Sequence, residues 1–270
     1  MIKTSNFVEL KKHGKIWAIG SIHSNIESFI SIKRFILNNF ETNDKLVFLG
    51  NIIGLGNNCR ETLTSVIDLR FSLMSKFKLD SDSIVFLRGA QEEMFSKILQ
   101  LQLAPNPTEI VEWMFEHGVN KTIESYGFSE DEVKNISSSG TLKISKFTSS
   151  LNKELKHNEG HTEYFLNLKH AAYSNSKKIL FVNRGVDITR PLSAQNDCFW
   201  WGFQNFSKIQ EPYKSFSRIV RGYESKHVDS YEMSRNNVVC TLFKQPLSNK
   251  RILCGIFSEN GEILDLFENN

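Results

Sequence analysis

Residues 16–25, IWAIGSIHSN, constrain the fold of this chain more than any other stretch. Four apolar residues, Ile16, Trp17, Ala18 and Ile19, run without a polar break and stop at Gly20. A polar loop with one histidine follows, and from Ile26 to Ile36 apolar residues return at helical spacing. An unbroken apolar run suits a strand buried on both faces, and a 3.6-residue period suits an amphipathic helix. The stretch therefore predicts strand, loop and helix, with Ser21, His23 and Asn25 at the carboxyl end of the strand. That is where α/β proteins hold their ligands. The arrangement recurs twice. KLVFLG (45–50) runs into Asn51 and a glycine-spaced loop, NIIGLG, and SIVFLRG (83–89) runs into AQEE and a helix. Three strand ends with polar loops predict one composite site.

The remaining chain extends this plan. Residues 15–94 alternate strand and helix, which indicates an α/β core. Leu63, Val66, Ile67 and Leu69 mark one face of the second helix, which Asn57 and Asn58 open. From 93 to 170 the pattern is helical, broken by APNP (104–107) and a Ser-rich loop (137–140), so a helical cap is expected within a single 1–270 domain. Strand character returns at KILFV (178–182) and SRIV (217–220). Three runs follow at 238–243, 251–257 and 262–267, separated by PLSN and NG, and they predict an antiparallel meander completing a second sheet. Residues 1–14 read as an amphipathic lead-in. The expected fold is α/β, two facing sheets flanked by helices, with an inserted α-helical cap.

Composition narrows the function classes. At 270 residues, 40% hydrophobic and 23% charged, the chain can bury one large core. A net charge of +3 is too mild to argue for nucleic acid. The 21 phenylalanines read as core filling. Cys59, Cys198, Cys240 and Cys254 form no CxxC pair, as expected of thiols in a reducing cytosol. The first fifteen residues lack the apolar core of a signal peptide, and no stretch approaches the ~20 apolar residues of a membrane helix. A cytoplasmic protein with no membrane partner is the expectation. GxSxG, P-loop and GxGxxG motifs do not occur.

IGSIHSN, FLGNIIGLGNN and FLRGAQEE resemble the GDxHGN, GDxxxxG and GNHE blocks of the calcineurin-like metallophosphoesterases. The resemblance is strongest to the branch of bacterial serine/threonine protein phosphatases and diadenosine-tetraphosphate hydrolases. It continues through EWMFEHGVNKTIESYG (112–127) in the cap, NRGVDITRPLSAQNDCFWWG (183–202) and RGY (221–223), so it spans nearly the whole chain. It implies a dinuclear phosphoesterase scaffold. Such a site holds two cations about 3.5–4 Å apart that polarise a phosphate and activate a bridging water. Cations that close repel, and anionic ligands must offset the repulsion.

At the matched positions this chain departs from the family. Ser21 and Asn51 stand where the family has aspartate, and Ala90 and Gln91 where it has Asn-His, the histidine being its general acid. Asn183 and Tyr223 replace two further histidines. Of these seven positions only His23 keeps its side chain. Neutral Ser, Asn and Gln offer oxygen to a hard cation, but with both carboxylates gone two adjacent metals lack compensating charge. No metal cofactor is expected; manganese or another divalent ion would be implied if the site were active. The family's second-block arginine, near Leu55, is also missing.

Four arginines flank the matched loops: Arg60, Arg88, Arg184 and Arg221. With His23 they could form a metal-free anion pocket, because guanidinium groups pair well with phosphate. The alternative is that they lie on the surface or pair with Asp187, Asp197 or Glu92. Trp200 and Trp201 are expected to pack the core beside the pocket, with one indole partly exposed. The first reading of function is a pseudo-phosphatase binding a phosphorylated small molecule or phosphoprotein. The second is an active phosphoesterase, acting on phosphoproteins or dinucleoside polyphosphates, that uses one metal or shifted ligands, with His161, Asp187, Asp197, His227 and Asp229 as candidates. The third is a scaffold whose arginines point away from the cleft.

Overall fold

The computed structural model of the chain describes residues 6–11, 14–195, 197–202, 206, 209–223, 238–243 and 251–269. The elements run in the order β1 (Phe7–Leu10), β2 (Ile16–Ile19), α1 (Ile26–Asn39), β3 (Lys45–Phe48), α2 (Cys59–Phe77), β4 (Ile84–Phe86) and α3 (Ala90–Ile98). Five helices follow: α4 (Pro107–Glu116), α5 (Val119–Ser125), α6 (Glu130–Ser137), α7 (Thr141–His157) and α8 (His161–Asn167). The chain then forms β5 (Ala171–Ser174), β6 (Ile179–Val182), α9 (Cys198–Trp201), β7 (Arg218–Arg221), β8 (Val239–Thr241), β9 (Leu253–Phe257) and β10 (Ile263–Glu268).

Among the described residues the strands form two five-stranded sheets, in the orders β1-β5-β6-β7-β8 and β10-β9-β2-β3-β4. Alternation along each strand builds the layers, because successive side chains point to opposite faces. Ile16 and Ala18 of β2, with Val47, face Ile179 and Phe181 of β6 across a dry interface between the sheets. The intervening residues Trp17, Ile19, Leu46 and Phe48 turn the other way onto α1, α2 and α3, through Phe29, Leu63 and Phe95. On the outer face of the first sheet, Leu180 and Val182 pack against Phe199 and Trp200 of α9. The result is helices on sheet on sheet on a smaller outer layer. Strands β2 and β6 are buried at every position, and β3 at every position after Lys45, as the continuous apolar runs require.

The helices between β4 and β5 do not stand apart from this core. Val111, Val119, Tyr126, Phe147 and Tyr164 belong to the same continuous apolar cluster as Trp17 and Phe48. Two strands escape the sequence pattern. Four-residue β1 lies in the expected lead-in, and β5 (AAYS) lacks a β-branched run; they pair in parallel, Val8 with Ala172. The expected meander is corrected. Strand β8 joins the first sheet parallel to β7, whereas β9 lies antiparallel to β2 in the second and forms a hairpin with β10. Periodicity marks strands without naming their partners, so a change of sheet at this point left no local signal. The PLSN turn falls at 246–249, outside the described residues.

The two sheets approach closely at the carboxyl ends of their strands. A Cβ on Gly20 would lie 1.8 Å from the carbonyl oxygen of Leu242, so only glycine fits. The Ser21 N–H donates to the carbonyl of Gly222 at 2.9 Å, tying the first loop to the end of β7. All four cysteines are free, and no described helix is long and apolar enough to cross a membrane.

Candidate functional site

The first three loops meet as the repeated strand–loop–helix pattern requires. The backbone carbonyl of Asn51 accepts from the N–H groups of Ile22 and His23. The Asn51 side chain donates to Ser21 Oγ at 3.3 Å and accepts from the Gln91 N–H at 3.1 Å. Asn51 (φ +52°), His23 (φ +48°) and Ser24 (φ +60°) all adopt the left-handed conformation, a cost held in place by the surrounding bonds. Gln91 turns away from this junction, its Nε2 donating to the carbonyl of His117 in the helical segment at 2.8 Å. Ala90, at the start of α3, contributes only to the apolar cluster.

Glu92 is the site residue that sequence reasoning did not place. Its carboxylate is fully buried and accepts from the N–H groups of Asn51 (2.8 Å), Ile52 (2.8 Å) and Gly89 (3.0 Å), and from the Tyr164 hydroxyl (3.2 Å). It clamps the second and third loops together. Burial pushes its carboxyl up from the usual range, and the backbone N–H groups oppose that shift. The AQEE motif carried a signal: an acidic residue three positions after the glycine that opens α3, where a helix start favours a carboxylate.

The carboxyl ends of β6 and β7, in the other sheet, supply Asn183 and Tyr223. Asn183 is fully buried, and its Nδ2 donates to the carbonyl of Leu49 at 2.5 Å, crossing from one sheet to the other. The Tyr223 ring meets His23 edge-on at 5.1 Å and Phe243 at 4.8 Å. His23 is 6% exposed, and neither ring nitrogen has a hydrogen-bond partner. Burial lowers its pKa from 6.5 to about 3, so the imidazole is neutral at pH 7. Gln91 Oε1 and Asn183 Oδ1 are likewise buried without partners. Such orphaned atoms are rare in folded proteins and mark places where a water, ion or ligand belongs.

The four arginines do not converge. Arg60 pairs with Glu61 on the surface at 3.4 Å, and Arg88 pairs with Glu93 at 2.5 Å beside the Trp200 ring. Arg221 is 5% exposed, donates to Thr241 Oγ1 at 2.8 Å and lies over Phe206. Arg184 lies over the Tyr223 ring at 5.6 Å, bordering the site. None of the four lines the cavity that opens beside Ser21 and His23. Asp187 bonds to Thr189 and to Arg190, and Glu92 meets no arginine. Trp200 is buried and Trp201 partly exposed against Trp113.

The residues do not fit a pair of divalent cations. Glu92 is the carboxylate at the junction, and its oxygens already accept backbone and tyrosine donors. The groups left open are one imidazole and two neutral amide oxygens, which carry no charge to offset two adjacent cations. Among the described residues no group of three or more His, Cys, Asp or Glu is placed to hold a metal. His161 is held by the Tyr126 hydroxyl (2.6 Å) and Thr64 (3.0 Å), away from His23. Asp197 is exposed at the start of α9. His227 and Asp229 lie outside the described residues.

No family model matches the sequence, and no curated protein matches it. Solved structures do match the fold. A structure assigned as a diadenosine tetraphosphatase superposes with a TM-score of 0.57 at 12% identity, covering 99% of both chains. A protein serine/threonine phosphatase from Saccharomyces cerevisiae gives 0.50 at 17% identity, over 98% of this chain and 83% of its own. A cold-active protein tyrosine phosphatase gives 0.50 at 13% identity, over 97% and 81%. At such identities the likeness is one of fold, and function has to be argued from the site.

Proposed function

We propose that this protein, which has the two-sheet fold of the calcineurin-like metallophosphoesterases, is a pseudo-phosphatase. It binds a phosphorylated small molecule or phosphoprotein without metal ions and does not turn it over. One observation carries the reading: the side chains at the metal-ligand positions bond to one another and to the backbone. Asn51 holds Ser21, Asn183 holds Leu49, Gln91 holds His117, and Glu92 closes the second loop. A two-metal hydrolase depends on anionic ligands around a water whose pKa it lowers, and this network is neutral apart from the enclosed Glu92. The unpartnered atoms of His23, Gln91 and Asn183 support a binding role, since a ligand would satisfy them.

The test is elemental analysis of the purified protein after brief incubation with manganese, with a para-nitrophenyl phosphate assay on the same sample. No retained metal and no turnover are expected. Near-stoichiometric metal with turnover would overturn the reading in favour of a phosphoesterase with shifted ligands. The pairing of Arg60 and Arg88 with neighbouring carboxylates favours, as a second reading, a scaffold with a vestigial pocket. That reading predicts no affinity for phosphate.

A further inference from the structure

A cavity of about 600 Å³ lies between α2, α8 and the outer edge of β4, within the usual size range of ligand pockets. It shares no lining residue with the cavity beside Ser21 and His23. Strand β4 ends its sheet, with β3 on one side. The Leu87 N–H donates to the Phe48 carbonyl of β3 at 2.9 Å. Alternate residues of a strand bond to opposite sides, so Ile84 and Phe86 point their N–H and C=O groups outward. Lys169 holds the far end of this outer edge. Its N–H donates to the Phe86 carbonyl at 2.9 Å, and its own carbonyl accepts from the Arg88 N–H at 2.7 Å. The preceding ladder position, two residues back, falls at Asn167, and there the chain is still in α8. Ile84 and Phe86 line the cavity, and the Ile84 carbonyl and Phe86 N–H leave one residue's place open between them. Among the described residues neither group finds a partner in the chain.

The side chains around this open place carry both signs of charge. Arg70, in α2, lines one wall part-buried, and among the described residues no carboxylate pairs with it. Glu159 and Glu163 beside and within α8, and Asp82 before β4, are exposed carboxylates on the other walls, with Lys169 at the end. Three carboxylates against two cations disfavour a net anion, phosphate included. Buried Val8, Ile67 and Ile84 form an apolar floor, and the Phe71 ring stands 48% exposed beside it. Covering that ring is favourable for an apolar group.

We propose that this cavity binds a free α-amino acid with an apolar side chain. The ammonium donates to the Ile84 carbonyl and faces Glu163. The carboxylate accepts from the Phe86 N–H and the Arg70 guanidinium, and the side chain covers Phe71 and Ile67. A single residue is what the open ladder holds, because Lys169 closes one end and the turn at Ser81–Ser83 closes the other. A zwitterion places one charge near each sign on the walls, whereas an internal peptide segment brings neither charge. The site goes beyond the metal-free reading and does not depend on it.

The test is calorimetric titration of the full chain with L-leucine and L-phenylalanine, with L-leucinamide and N-acetyl-L-leucinamide as controls. Arg70→Gln and Glu163→Gln alter side chains at the surface of helices, so the fold is retained. Each is expected to weaken leucine binding at least about tenfold. L-leucinamide keeps the ammonium and lacks the carboxylate, so Arg70→Gln should bind it as the unaltered chain does. Dissociation constants above about 1 mM for both amino acids would overturn the site. Unchanged leucine affinity in both variants would overturn its location. Tighter binding of N-acetyl-L-leucinamide than of leucine would overturn the amino acid in favour of a peptide strand on β4.

Discussion

Glu92→Gln tests the physical heart of the site. The two carboxylate oxygens divide their donors: Oε2 accepts from Asn51 and Gly89, and Oε1 from Ile52 and Tyr164. A glutamine of the same shape has one acceptor oxygen, so its NH₂ faces either the N–H groups of Asn51 and Gly89 or the Ile52 N–H and the Tyr164 hydroxyl. Leaving a buried donor without an acceptor costs roughly 1–3 kcal/mol, so one or two such donors cost about 1–6 kcal/mol. Relief of the buried charge offsets part of this, since desolvation is the largest influence on Glu92. A net destabilisation of about 3 kcal/mol is expected, a large share of the roughly 5–15 kcal/mol typical of whole proteins. Urea unfolding should show a lower midpoint with an unchanged slope.

The pH dependence supplies a second check on Glu92. Its folded pKa is raised above 4.5, so its contribution to stability is complete below that value and declines as pH rises through the folded pKa. The gap between wild type and Glu92→Gln should therefore narrow as pH rises from the acid side. A variant within about 0.5 kcal/mol of wild type across this range would refute the clamp, because desolvation would then cancel every bond.

Three further outcomes are expected. His23 has a folded pKa near 3 against 6.5 unfolded, so its contribution is complete above pH 6.5 and is lost on acidification; at pH 5 the loss is about 2 kcal/mol. His23→Phe should flatten that part of the pH–stability curve, and an unchanged slope would count against the buried neutral imidazole. Gly20→Ala forces a methyl against the Leu242 carbonyl and should cost about 3 kcal/mol or more, measured by thermal unfolding. Ser21→Asp supplies one of the several ligands that metallophosphoesterases of this fold use, and with manganese it should hydrolyse para-nitrophenyl phosphate no faster than background. Measurable turnover in that single variant would show that the other ligand positions matter less than their chemistry indicates.

Much of the architecture was legible because it rests on local regularities. The runs IWAI and ILFV are apolar at every position and KLVF after its lysine, and strands buried on both faces require this. Helical periods in α1 and α2, and the polar residues after each strand, placed the loops at one end of one sheet. The absence of carboxylate at Ser21 and Asn51 was equally plain, since side-chain charge is a property of the residue itself.

Partnerships across the fold were not legible. That β8 joins β7 while β9 crosses to β2 follows from long-range pairing, to which a strand's own periodicity is indifferent. The short β1 and β5 form strands because each completes the other's ladder. Arg60 and Arg88 looked available beside the loops, and only packing revealed the carboxylates that hold them. Glu92 reads as an ordinary helix-start acid until the second loop folds over it and three backbone N–H groups find their acceptor. His23 keeps the family residue, yet its environment, an edge-on tyrosine and no polar partner, exists only once the two sheets meet. The chain alone determined which chemistry was missing. The tertiary structure decided that an imidazole would be buried without a polar partner and that one carboxylate would close two loops, because burial and alignment are properties of assembled elements.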